Sequence, residues 1–242
     1  SGVHIDFAYR TFIWDSEASI KAHVHCVIVG FSRAVNNKQK IIYSGENAIP
    51  ANNINGYLLD AENIFIEKRM KPLCNVPEIA LGGQAIDGGF LILTEKEKDS
   101  QGNDVTPSKE EFLEKEPQAS PFFRHYMMGK DFIDRKPRYC IWLVGADPGL
   151  LKKCPMILER VNKVREFRLS STRANTKKAA ENPTLFASIL EHKNQYIAIP
   201  KVSSQNRRYI PMDYLDGEII PGDKLFTMPN ASFYEFGVLM SN

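Results

Sequence analysis

No run of 18 apolar residues occurs in the 242-residue chain, so sequence alone offers no segment to span a bilayer. It does not open with a charged start followed by an apolar core, so no secretory signal is read. The four cysteines, Cys26, Cys74, Cys140 and Cys154, lie far apart and form no C-x-x-C pair. That spacing argues against a disulfide framework or a zinc ribbon. Cys26 and Cys140 sit in the apolar runs HVHCVIVGF (23–31) and RYCIWLVG (138–145). They read as buried thiols of a protein in the reducing cytoplasm. His23 and His25 would share a strand face, but no third ligand stands at a recognisable spacing, so no metal is expected.

The sequence lacks G-x-S-x-G, H-E-x-x-H, G-x-G-x-x-G and GK[ST] patterns, and it has no compact acidic cluster. The glycine pairs of LGGQAIDGGF (81–90) are therefore read as tight turns, with Asp60 and Asp87 capping loops. No complete catalytic site is expected. Charge excludes little by itself: 31 Lys+Arg against 29 Asp+Glu leave a net +2. The chain starts Ser-Gly-Val and stops at GVLMSN after an apolar stretch, which reads as a fragment of something longer.

Strand-like runs are 23–31, 40–43, 90–94, 138–144, 194–202, 207–215 and 231–240. The polar stretch Ser32–Gln39 suggests a hairpin between the first two, and 46–63 reads as a connector. Ser108 ahead of Glu110 and Glu111 marks a capped helix to Lys115. Pro155 suits a first helical turn, and Cys154, Ile157, Val161 and Val164 form an apolar stripe. The opposite face is expected to carry Arg160, Lys163 and Arg165, with Arg168 close behind. Residues 170–182 suggest a short helix. Strands and helices alternate without a βαβ rhythm, which points to an α+β (mixed α/β) fold with irregular mixed sheets and a few helices.

The near-neutral total hides a division. Residues 151–208 hold thirteen Lys/Arg against four acids, a local excess of nine. Residues 95–116 hold eight acids against four lysines and read as a solvated helix face. A local cationic excess suits a phosphate-tracking surface. SSTRANTKK (170–178) and IPKVSSQNRRYIP (199–211) mix cations with Ser, Thr, Asn and Gln, the side chains that bond base edges. The second places Ser203–Asn206 in a loop between strands. The competing expectation is a structural domain that organises a parent chain, its cations scattered or buried against acids. A freestanding enzyme is disfavoured by the missing motifs.

Several stretches then acquire a common meaning. FAYRTFIWDSEASIKAHVHCVIVGFS (7–32) is followed by NNINGYLLDAENIFIEKRMKPLCNVPEIALGGQAIDGGFLILT (52–94) and FFRHYMMGKDFIDRKPRYCIWLVG (122–145). RVNKVREFRLSSTRANT (160–176), IPKVSSQNRRYIPMDYL (199–215) and FYEFGVLMSN complete the series. In this order they resemble MmeI-like DNA methyltransferases, often fused to a restriction nuclease (type IIG/IIL). IPKVSS–RRYIP is the most specific of these motifs.

The resemblance implies that residues 1–45 close the methyltransferase sheet and 46–242 form a target recognition domain for double-stranded DNA. The rest of the methyltransferase, with S-adenosylmethionine and the Asn/Asp-Pro-Pro-Tyr/Phe motif, would lie upstream in the parent chain. ENPTLF (181–186) does not match that motif, so no cofactor is expected on this chain alone. By position, Ser171, Thr172, Arg173, Asn175, Ser204, Gln205, Asn206 and Arg207 are the expected base readers. Arg165, Arg168, Lys177, Lys178 and Lys201 are the expected phosphate contacts. One of Arg207 and Arg208 is expected to face inward. Phe12 and Trp14 are candidates for stacking on an extruded base.

Overall fold

A computed structural model describes residues 2–14, 24–34, 37–93, 108–204 and 206–241. His23, Gln205 and the stretch 95–107 fall outside the described residues. The chain divides into two compact units, Ser1–Leu73 and Cys74–Asn242.

Unit 1 is built on one sheet of β1 (His4–Trp14), β2 (Val24–Ser32), β3 (Lys40–Ser44) and β4 (Asn47–Ala51), in the order β2-β1-β3-β4. β1 and β2 run antiparallel with bulges between Ile5 and Phe7 and between Tyr9 and Phe12. β3 lies parallel to β1, so the expected hairpin between β2 and β3 does not form. β1 takes the place between them, because its apolar residues are as fit to pair as those of β2. The expected connector 46–63 begins with a strand, β4, joined to β3 through a tight turn in which Gly45 has φ 61°. A small core of Ala8, Ile42, Ala51 and Ile54 lies on one face. The loop that follows is tied by side chains. Asn55 accepts from the Tyr57 and Leu59 amides at 3.0 and 3.2 Å, and Asp60 from those of Asn52 and Asn53 at 3.0 Å, the capping expected of it.

Unit 2 holds two four-stranded sheets. One, in the order β10-β9-β12-β5, comprises β5 (Ala80–Leu81), β9 (Tyr196–Pro200), β10 (Asp213–Leu215) and β12 (Leu225–Pro229). The other, in the order β11-β7-β8-β6, comprises β6 (Ile92–Leu93), β7 (Phe123–Met127), β8 (Arg138–Ile141) and β11 (Ile220–Pro221). The helices are α1 (Lys109–Lys115), α2 (Gly129–Asp134), α3 (Pro148–Leu151), α4 (Pro155–Ser170), α5 (Ala174–Ala179) and α6 (Phe233–Met240). This is the expected mixture of small sheets and few helices. Among the described residues no helix is long and apolar enough to cross a membrane.

The main core joins Leu91, Phe112, Phe122, Cys140 and Ile141 to the α4 stripe of Cys154, Ile157, Val161 and Val164. All four stripe residues are buried, and each large aliphatic among them contributes about 2 kcal/mol. Ser108 caps α1 reciprocally with Glu111, as its sequence suggests. Glu116, in contrast, is no part of a solvated face. It is buried, and its Oε2 accepts the Met156 amide at 2.8 Å in the first turn of α4. A donor left over at a helix start needs an acceptor, and this one comes from 40 residues away.

Two further expectations fail here. Residues 231–240 are not a strand, because Ser232 and Glu235 form a capping box that starts α6. Apart from Ser232 and Glu235 the run is almost wholly apolar, so it carries little periodicity to choose a helix over a strand. Strand pairing in 207–215 starts only at Asp213, and both Arg207 and Arg208 are exposed, so neither faces inward. Cys140 is buried as expected, whereas Cys26 is half-buried and Cys74 exposed.

Candidate nucleic-acid interface

The cations of 151–208 separate into three kinds. Eleven of the thirteen are exposed; Arg160 is half-buried and Arg168 fully buried. Lys163 pairs with Glu159 one turn earlier at 2.7 Å. Arg160 donates from Nε to the Phe90 carbonyl and from Nη2 to the Gly89 carbonyl at 3.1 Å, which fixes it to the loop before β6. Arg165 projects from the exposed face of α4.

Arg168 is not available to a phosphate, which corrects the sequence expectation. Its Nε donates to the Ile86 carbonyl at 2.9 Å. Its two Nη atoms donate to the carbonyls of Ala179, Asn182, Ala85 and Leu185 at 2.7–3.0 Å. Burial pulls the guanidinium below its usual pKa, partly countered by nearby Asp87. The signal for this was present in the sequence. The stripe 154, 157, 161, 164 continues by four to 168, so helical periodicity puts Arg168 on the buried face.

The expected base readers sit on two elements. Ser171 ends α4, and its Oγ accepts from the Arg173 amide at 3.2 Å. Thr172, Arg173 and Asn175 are exposed at the start of α5, with Lys177 and Lys178 exposed farther along. The second element is the loop between antiparallel β9 and β10. It exposes Lys201, Ser204, Asn206 and Arg207. A turn orders it, with the Arg207 amide on the Ser204 carbonyl at 3.1 Å and the Asn206 amide on Ser204 Oγ at 3.2 Å.

These elements line separate clefts. Ser171, Thr172 and Arg173 line an open cleft of about 630 Å³ together with Gln84, Tyr126 and Asp223. Arg207 lines a second, of about 380 Å³, with Arg135, Met212 and Asp213. Asp87, also on the first cleft, caps the turn before β6 by accepting the Leu91 and Ile92 amides at 2.6 and 3.0 Å. Gln84, Asp223 and Arg135 were not foreseen. The only sequence signal for the first two is the glycine beside each, Gly83 and Gly222.

In unit 1, Phe12 is half-buried and Trp14 exposed, their ring centroids 6.3 Å apart and tilted by 42°. Neither belongs to the small core of that unit. Among the described residues no group of three His, Cys, Asp or Glu is placed to hold a metal ion.

Fold and site define a class: a small unit built on one sheet, followed by a mixed α+β module that exposes most of its cations and sets Arg173 and Arg207 each on an open cleft. Residues 60–242 match the MmeI target recognition domain, and residues 1–44 match the MmeI DNA-methyltransferase domain. The chain belongs to the MmeI target recognition domain family, carrying a piece of the methyltransferase domain ahead of it. DNA methyltransferase A of Bacillus subtilis (strain 168) is 34% identical over 240 residues, covering 99% of this chain and 26% of that protein. The type IIL restriction-modification enzyme MmeI, solved in complex with DNA, is 36% identical with a TM-score of 0.87. That match covers 99% of this chain and 31% of the MmeI chain. This chain therefore spans about a third or less of the relatives it matches.

Proposed function

We propose that this chain is the sequence-reading module of an S-adenosylmethionine-dependent adenine DNA methyltransferase of the restriction–modification type, working in the cytoplasm. The observation that carries this reading is the exposure of eleven of the thirteen cations of 151–208, with Arg173 and Arg207 each lining an open cleft. Arg165, Lys177, Lys178 and Lys201 neutralise phosphates, and Ser171, Thr172, Arg173, Asn175, Ser204, Gln205, Asn206 and Arg207 read base edges in the major groove. The relatives suggest the partner, since one is a DNA methyltransferase and another was solved on DNA. A purely structural role fits less well, because it asks for cations buried against acids, and eleven of the thirteen are exposed.

Residues 1–45 serve as the closing strands of the methyltransferase sheet, and 46–242 as the recognition domain. Val24, Val27, Ile28 and Phe31 of β2 are between 46% and 65% exposed, so this edge strand retains apolar surface for an upstream domain of the parent chain to cover. Phe12 and Trp14 are offered to an extruded adenine. On this reading the cofactor belongs to the methyltransferase core of the parent chain. S-adenosylmethionine would supply the methyl group in the parent protein, and the chain itself performs no transfer.

The test is a titration of labelled duplex DNA at rising salt. Log affinity should fall linearly with log salt, and each of Arg165→Ala, Lys177→Gln, Lys178→Gln and Lys201→Gln should reduce the slope by about one. Binding indifferent to salt, or untouched by the four changes together, overturns the reading.

A further inference from the structure

The glycine pairs of LGGQAIDGGF do more than turn the chain. Gly83 forms a bridge with Gly222, its amide donating to the Pro221 carbonyl at 2.8 Å, while the Gly82 amide donates to the Leu225 carbonyl at 2.9 Å. A Cβ on Gly82 would collide with the Gly222 carbonyl. One on Gly222 would collide with the Tyr126 hydroxyl and Met128 Sδ. Only side-chain-free backbone lets the two loops meet.

Their meeting sets Gln84 beside Asp223 in the lining of the 630 Å³ cleft, which Thr172 and Arg173 also line. Gln84 Nε2 donates to Asp223 Oδ2 at 3.4 Å, and Lys224 Nζ stands 3.5 Å from the same oxygen. Both Gln84 and Asp223 are half-buried. Among the described residues nothing engages Asp223 Oδ1, and Gln84 keeps its carbonyl oxygen and a second amide proton.

A carboxylate on a cleft brought against DNA phosphates is repelled by them unless it finds a hydrogen-bond donor. Base edges offer such donors only as amino groups. Adenine presents N6 and cytosine N4 in the major groove, whereas guanine and thymine present acceptors there. Gln suits the N6/N7 edge of adenine, and a carboxylate accepts from the N4 of cytosine. The geometry points to Gln84 and Asp223 as a specificity-determining pair that accepts an amino base over a keto base at one position of the duplex. This rests on the DNA reading proposed above.

The experiment selects bound duplexes from a randomised pool with the wild-type chain, Asp223→Asn and Gln84→Leu, sequences them, and measures each protein's salt slope and melting temperature. The wild type should prefer A or C at one position. Asp223→Asn, which can donate as well as accept, should lose that preference by about tenfold while keeping its salt slope and melting temperature. Gln84→Leu should narrow the choice toward C. If both variants keep the wild-type preferences at every position, the inference fails while the DNA reading stands. If the wild type shows no salt-dependent duplex binding, the reading fails and takes the inference with it.

Discussion

Replacing Arg168 should cost stability rather than DNA affinity, and the size of that cost follows from its contacts. The buried guanidinium satisfies five backbone carbonyls at 2.7–3.0 Å, two before the turn at Asp87 and three in the segment 179–185. It is thus the clasp that holds the C-terminal half of α4 to both neighbouring loops. Arg168→Lys keeps a charge but has three donors, so at least two of the five charge-assisted bonds are lost. At roughly 1.5–3 kcal/mol for each hydrogen bond to a charged group, the loss should be about 3 kcal/mol. For a protein of this size that lowers the melting temperature by roughly 6–12 °C. Arg168→Ala removes all five charge-assisted bonds. It leaves the Ile86 and Leu185 carbonyls without a donor among the described residues, whereas those of Ala85, Ala179 and Asn182 keep a backbone amide. Its cost approaches a whole domain's stability, about 5–15 kcal/mol, so that variant should be largely unfolded. The assay is thermal unfolding followed by circular dichroism, with Arg165→Ala on the exposed face of the same helix as control. That control should shift stability by no more than about 0.5 kcal/mol. An Arg168→Lys protein that melts within about 1 °C of the parent refutes the reasoning. So does one whose only change is a shallower salt slope.

The thiols should divide by burial. Burial pushes Cys140 up to about 12, and Cys154 is raised by its own burial and then by the nearby Glu116 carboxylate. An alkylating reagent at pH 8 should therefore modify exposed Cys74 first and reach Cys140 and Cys154 only in denaturant, as mass spectrometry of timed samples would show. Early labelling of Cys140 in the folded protein would contradict this. His192 should make the fold acid-sensitive. Its ring packs 4.4 Å from that of Tyr196, and burial lowers its pKa below the ordinary value. The unfolded chain then takes up the proton first. The ring's contribution is complete above its unfolded value of about 6.5 and is lost as pH falls through the folded one. Urea midpoints should drop between pH 7.5 and 5.5, and less so in His192→Phe. An equal drop in both proteins would exclude His192 as the cause.

Much of the architecture was legible because local patterns carried it. The Ser108 cap, the first-turn Pro155 and the stripe from Cys154 to Val164 are all short-range signals, and each stands in the structure as expected. Where local signals conflicted or were absent, the reading failed. Residues 231–240 are apolar but for Ser232 and Glu235, and only the capping box those two form announces a helix. The strand order β2-β1-β3-β4 was hidden because apolar content says that a segment pairs, not which neighbour it takes. Arg168 was misjudged by residue type, although its spacing placed it inside.

Sequence alone determined the family, the division of charge and the two polar stretches around residues 171–175 and 204–207, since each is a property of neighbours along the chain. Only the tertiary structure decided what satisfies Arg168 once it is inside, because its carbonyl partners come from loops up to 83 positions away. It likewise decided that Gln84 and Asp223, 139 positions apart, share one cleft. That juxtaposition depends on how closely two glycine-bearing backbones can approach, and no run of residues records such a distance.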